Sequence, residues 1–165
     1  MAEYPAGVRR FEASDREAVR TLHRRALRAA GTDPADVPGT DDLRSVRETY
    51  VESGGEFLVV ERDGEVVAMG GLRVDTPACE EREGEVGELL RMRVDPDHQR
   101  EGYGTAVLGA LETAARERGL DRLTLTTARR QTAATEFYPA NGYERVGTEA
   151  HGEYELLRFE KSLDS

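Results

Sequence analysis

A chain of 165 residues, 38% hydrophobic and 34% charged, has the length for one domain, 1–165, around one sizeable core. Its formal net charge of -10, with acids and bases interspersed, disfavours a nucleic-acid partner, because phosphate binding needs a basic face. There is no apolar run of about 18 residues, no basic or apolar start in Met1-Ala2-Glu3-Tyr4-Pro5, and no cysteine besides Cys79, so no membrane span, signal peptide, internal disulfide or cysteine-rich zinc site is expected and a cytoplasmic location is. Lys161 is the only lysine among 23 basic residues, a bias that reads as salt adaptation in an arginine-rich genome, with codon bias alone as the alternative. His23, His98 and His151 are scattered and lack metal-ligand spacing, so no metal is expected.

Gly7 to Phe11 reads as a first strand. Ser14 and Glu17 have capping-box spacing, and the helix they open places Ala18, Val19, Leu22, Ala26, Leu27 and Ala30 on one face before Gly31 stops it. Asp33-Pro34 to Pro38-Gly39 is a loop by composition, and Thr40 caps a second expected helix, Asp41 to Glu52. Phe57 to Glu61 and Val66 to Leu72, joined at Asp63-Gly64, read as a hairpin. Thr76 to Gly84 is a polar, acidic connection, followed by a fourth strand, Glu85 to Val94, and the turn Asp95-Pro96-Asp97. Thr105 to Arg118 is a helix with Ala106, Val107, Ala110, Leu111 and Ala114 inward, and Leu123 to Thr127 is a fifth strand. Gln131 to Ala140 is a shorter helix, which Pro139 should end just after Tyr138. Tyr143 to Thr148 and Tyr154 to Lys161 make a final strand pair. This order predicts an α/β protein: a mostly antiparallel mixed sheet of about seven strands, a central parallel βαβ unit, and helices on both faces.

Gln99-Arg100-Glu101-Gly102-Tyr103-Gly104 sits between the fourth strand and a helix N-terminus. A glycine-rich turn there binds anions, because its N–H groups point outward and the helix dipole adds positive charge. Gly102 and Gly104 lack side chains, so the backbone can approach a phosphate closely.

Three motifs agree in type and spacing. Gln99, Gly102 and Gly104 fit Q/R-x-x-G-x-G/A; Met92-Arg93-Val94-Asp95-Pro96 precedes it as a strand end and proline turn; Gln131, Ala134, Phe137, Tyr138, Gly142 and Tyr143 stand in register with N-x-x-A-x-x-F-Y and a Gly-aromatic pair. With the element order, they resemble the GNAT superfamily of acyl-CoA-dependent N-acyltransferases. Gln131 departs from the asparagine many members carry there, although its amide offers the same hydrogen-bonding groups.

The resemblance implies a GNAT-like fold and transfer of an acetyl group from acetyl-CoA to an amine. It gives the backbone amides of Arg100, Glu101, Gly102, Tyr103, Gly104 and Thr105 to the CoA diphosphate, with charge from Arg100. It gives the Met92 amide to the thioester oxygen, the Arg93 and Val94 backbone to the pantetheine arm, and cofactor contacts to Gln99 and Gln131. Arg129 and Arg130 are candidates for the CoA 3′-phosphate. Glu88, eleven residues before Gln99, takes the place of a strand-borne catalytic glutamate that would deprotonate the amine, with Glu85 or a water chain as alternatives. Tyr138 would protonate the leaving thiolate. The acceptor is a small-molecule or peptide amine of open identity, and acyl length is also open. No membrane partner is expected, and the family's frequent dimers leave a homodimer open. The alternative is a non-catalytic acyl-CoA-binding sensor or regulatory module, which has no use for Glu88 and Tyr138 together. A toxin-like member acting on aminoacyl-tRNA is disfavoured by the net charge of -10.

Overall fold

The computed structural model describes residues 4–31, 40–80, 84–129, 131–151 and 154–163. Its centre is a hairpin of β2 (Glu56–Arg62) and β3 (Glu65–Arg73), with β1 (Val8–Arg10) beside β2. Asp63 and Gly64 both take positive φ, 51° and 81°, the twist a two-residue hairpin turn needs. β4 (Val86–Val94) pairs antiparallel with β3, β5 (Arg122–Ala128) lies parallel to β4, and the hairpin of β6 (Glu144–His151) and β7 (Tyr154–Ser162) completes the sheet. Among the described residues the seven strands run in the order β1-β2-β3-β4-β5-β7-β6, with β4–β5 the only parallel pair. The helices are α1 (Arg16–Ala29), the short α2 (Pro77–Glu80), α3 (Tyr103–Glu117) and α4 (Thr132–Ala140). α3 is the crossover that parallel strands require.

The two faces of the sheet bury different sets of side chains. Along β2, Phe57 and Val59 pack with Val19 and Leu22 of α1 and with Leu43, Val46 and Tyr50. Leu58 and Val60 pack on the other face with Val107, Leu108 and Leu111 of α3. Burial on both faces explains the unbroken apolar run, and each such side chain contributes roughly 1.5–3 kcal/mol.

Several local expectations are corrected. The capping pair at the start of α1 is Glu12 and Asp15, in a 3-10 turn over Ala13–Asp15: the Glu12 N–H donates to Asp15 at 2.8 Å, and Ser14 is exposed. Asp15 wins because Arg9 fixes its carboxylate through two hydrogen bonds, at 2.7 and 2.9 Å. Ala30 is exposed and His23 takes a buried place on the inner face of α1. The second expected helix is a 3-10 turn, Thr40–Arg44, and a wide turn, Arg47–Val51, closed by Glu52 N–H to Arg47 O at 2.8 Å. That geometry lays the Tyr50 ring on Gly71, where a Cβ would stand 2.5 Å from the ring. α4 continues past Tyr138 to Ala140 with Pro139 inside it. Its last turn stays closed because Asn141 and Gly142 donate to Tyr138 O and Pro139 O, while the Asn141 amide donates to Phe137 O at 2.8 Å. The Thr76 to Gly84 connection contains α2, which buries Cys79.

Candidate active site

β4 and β5 pair only from Val86–Arg122 to Glu88–Thr124. Beyond that point β4 runs on to Val94 along β3, β5 runs on to Ala128 along β7, and the two strands part. The crevice opens at the carboxyl ends of two parallel strands, the place where open α/β sheets bind ligands.

A bulge sharpens the parting. Leu90 pairs with Gly71 and Arg93 with Met69, so β4 spends one residue more than β3 over this stretch. Arg91 absorbs the excess with φ of 58°, a left-handed conformation rare for a long side chain. Leu90 and Arg91 consequently fall on the same face: Leu90 packs against the Tyr50 cluster, and Arg91 pairs with Asp42 at 3.0 Å. Arg91 and Met92 lie between the ladder pairs. Met92's side chain covers Gly70 on the α3 face, and Val94 packs on that face as well. Arg93 and Val94 are laddered to β3 through Met69 and Ala68, and their other edge faces the crevice.

The glycine-rich loop follows directly. Arg25 of α1 holds its entrance, pairing with Asp95 at 2.7 Å and Asp97 at 3.1 Å. Asp95 is buried and caps the turn by accepting from Asp97 N–H at 2.9 Å. Gln99 turns its amide inward to donate to Val94 O at 2.9 Å, so its side chain ties the loop to the strand. Glu101 bonds His98 at 3.1 Å. Arg100 and Gly102 take φ of 65° and 88°, and α3 starts at Tyr103, two residues earlier than expected. No side chain caps this end, and its first turn holds no acid. The first internal bond is Ala106 N–H to Gly102 O, which leaves the Tyr103, Gly104 and Thr105 N–H groups without partners inside the helix. A 15-residue helix starting this way offers an anion unpaired N–H groups and the positive end of its dipole.

Tyr138 lies on α4, in the core cluster on the α3 face of the sheet. It is 6% exposed, with rings of Phe137, Tyr143 and Phe159 around it. Its hydroxyl makes no hydrogen bond to another described residue. Burial pushes the phenol up to about 12, opposed by the Arg93 cation, so it stays protonated at neutral pH. Glu88 is half-buried at the last β4–β5 pair, on the face opposite Leu89, and likewise bonds no described residue. Glu85 is exposed at the closed end, its backbone joined to Asp121. Gln131 begins α4, its carbonyl accepting from Ala134 and Thr135 N–H. Arg129 is paired with Glu155 at 2.8 Å, and Arg130 lies outside the described residues. Among the described residues no group of three His, Cys, Asp or Glu side chains could hold a metal, and no helix is long and apolar enough to cross a membrane.

Two groups escaped sequence reasoning. His23 is 4% exposed, and its Nδ1 accepts from Arg93 Nε at 3.3 Å. Burial, then the Arg93 and Arg91 cations, hold its pKa at about 3 against 6.5 when unperturbed. Its folded state therefore binds fewer protons than the unfolded chain between these values, and stability that is full above pH 6.5 falls as pH drops through that window. We expect a loss of roughly 3 kcal/mol between pH 6.5 and about pH 4 in urea unfolding, absent in His23→Asn. Equal slopes for the two proteins would contradict this. The second group is the Arg93 side chain, noted in the sequence for its backbone alone.

The family model for the Acetyltransferase (GNAT) family matches residues 17–143, from the first turn of α1 to the Gly-aromatic pair. The chain belongs to the GNAT family. Among its relatives, human N-acetyltransferase 8 is 30% identical over 118 residues, which are 70% of this chain and 51% of that protein. Mycothiol acetyltransferase from Thermobispora bispora is 34% identical over 146 residues, 87% of this chain and 48% of that protein. The chain thus spans about half the length of these relatives. An acetyltransferase of the GNAT family from Staphylococcus aureus Mu50 superimposes with a TM-score of 0.81 at 18% identity, covering 95% of this chain and 98% of that one. The mixed GNAT sheet expected from the sequence is therefore the observed one.

Proposed function

We propose that residues 1–165 form one catalytic unit that transfers an acetyl group from acetyl-CoA to a primary amine of a small molecule or peptide, by direct attack in a ternary complex. The observation that carries this reading is the parting of β4 and β5 beside an uncapped, acid-free helix start, with Glu88 at the last pair before they part. Bound acetyl-CoA would supply a thioester whose carbonyl carbon is open to attack. Gly102 to Thr105 would hold its diphosphate, and the crevice-facing edge of Arg93 and Val94 would pair with the pantetheine amides as an added strand does. The Met92 N–H would donate to the thioester oxygen as charge builds there. Glu88 would take a proton from the acceptor ammonium, directly or through a water. Tyr138 would give its proton to the departing sulfur. Neither side chain is spent on a structural bond to a described residue, which favours catalytic use over a binding-only module.

Calorimetric titration with acetyl-CoA in high potassium chloride is the first test, and saturation at one site per chain is expected. A folded protein that takes up none would sink the proposal. With an acceptor in hand, Tyr138→Phe should lower kcat by about 10- to 100-fold. That is a modest loss for a general acid, because a thiol of pKa ~8.5 already leaves well. Unchanged rates would remove Tyr138 from the proton inventory.

A further inference from the structure

Arg93 is a half-buried guanidinium with no carboxylate partner among the described residues, in a chain of net charge -10. The arginines nearest in setting are all paired: Arg9 with Asp15, Arg10 with Glu56, Arg25 with Asp95, Arg91 with Asp42. Arg93 instead donates through Nε to the neutral His23 ring and through Nη1 to Met92 O at 3.0 Å. Its Nη2 makes no bond to a described residue. Because His23 Nδ1 is an acceptor, the ring proton is on Nε2, and this buried Nε2–H also lacks a partner among the described residues. Unmet buried donors are costly, and an uncompensated interior cation is rare unless it serves a ligand.

The position supports that conclusion. Arg93 lies two residues past the bulge, one past the Met92 amide, and close enough to Tyr138 for each to shift the other's proton affinity. Arg91 adds a second cation, already balanced by Asp42. The cluster thus carries one surplus positive charge on the α1 side of the crevice, the face that Glu88 also occupies. We propose that the acceptor is a primary amine bearing a carboxylate, which Arg93 holds while Glu88 faces the amine. This rests on the acetyl-transfer reading and adds the chemical class of its acceptor. A guanidinium matches a carboxylate with paired, charge-assisted hydrogen bonds, which a primary amide cannot reproduce.

The test uses matched pairs of amines: α-amino acids and their amides, dipeptides and their C-terminal amides. Acetyl transfer is measured for the wild type, Arg93→Gln and Arg93→Lys, after calorimetry has established acetyl-CoA binding for each. In the wild type the carboxylate member of at least one pair should be favoured about 30- to 100-fold in kcat/KM. That ratio should collapse to within a few-fold of one in Arg93→Gln and survive in part in Arg93→Lys. The corresponding N-acetyl acid, titrated into the protein with CoA present, should bind more tightly than its amide by a similar factor. Transfer without discrimination in the wild type would overturn the carboxylate assignment and leave the acetyltransferase reading standing. Undiminished discrimination in Arg93→Gln would overturn the role of Arg93. Absence of acetyl-CoA binding would end both readings. The wild-type ratio needs no variant, so a substitution that fails to fold leaves the proposal falsifiable.

Discussion

Glu88→Gln should lower kcat at neutral pH by about 10²- to 10⁴-fold and leave the Kd for acetyl-CoA within about twofold of the wild type. The exchange keeps the size and shape of the side chain and removes its ability to take a proton. Glu88 sits at the last β4–β5 pair, before the strands part, and no described residue engages its carboxylate, so structural damage should be slight. An acceptor amine of pKa ~10 is almost wholly an ammonium near neutrality and has no lone pair until a proton is removed. The deficit should therefore shrink as pH rises toward 10, where solvent deprotonates the amine unaided. A uniform deficit across pH would indicate that Glu88 positions the acceptor and does not take its proton. Near wild-type turnover at neutral pH would eliminate Glu88 and return attention to a water chain.

The elements of the fold and of the candidate site are legible in the sequence to different degrees. The hairpin at Asp63-Gly64, the β4–α3–β5 unit and the glycine-rich loop could be read because local chemistry dictates them: positive φ at Gly64 and Gly102, and apolar runs of strand length. The bulge was not readable. Arg91 adopts φ of 58° without a glycine to announce it, and is held there by a carboxylate 49 residues earlier in the chain. The burial of His23 and Asp95 is not legible in the sequence, because it depends on partners far away in the chain, Arg93 and Arg25, each 70 positions distant. The same holds for Glu112, buried in the middle of α3 where it accepts from Tyr143 at 2.9 Å and from Lys161 at 3.1 Å. Periodicity finds the face of a helix, but it cannot say which charged residue on that face has a counter-charge waiting. The candidate site consequently divides in two. Its phosphate end follows from a local motif, whereas its acceptor end is assembled from α1, the turn near Asp42 and the β4 bulge.

Glu56 is the position where a single change should cost the fold most. It is 1% exposed at the start of β2 and forms the centre of a network spanning the N-terminal segment, β1 and the end of α3. Arg10 donates to it through Nε and Nη2 at 2.8 and 2.9 Å, and the Tyr4 hydroxyl at 3.1 Å. The Phe57 N–H donates at 3.1 Å, and Arg118 stands 3.9 Å away while bonding the carbonyls of Gly54 and Gly55. Burial and the nearby Glu56 charge raise the Tyr4 phenol to about 12, so Tyr4 remains a donor at working pH. In Glu56→Ala the carboxylate is lost, the Arg118 cation keeps its place without a counter-charge, and a cavity opens beside Phe57. A loss of about 3–5 kcal/mol is expected, the range for breaking a buried ion pair from one side. For a chain of 165 residues that corresponds to a fall in Tm of roughly 10 °C or more. Glu56→Gln keeps an acceptor oxygen and the volume but drops the charge, so it should lose less than half as much. Arg10→Ala should also cost less than Glu56→Ala, since Arg10 is half-exposed and the carboxylate retains Tyr4 and Arg118. A Tm for Glu56→Ala within 2 °C of wild type would show that water replaces the network at no cost, which its burial argues against.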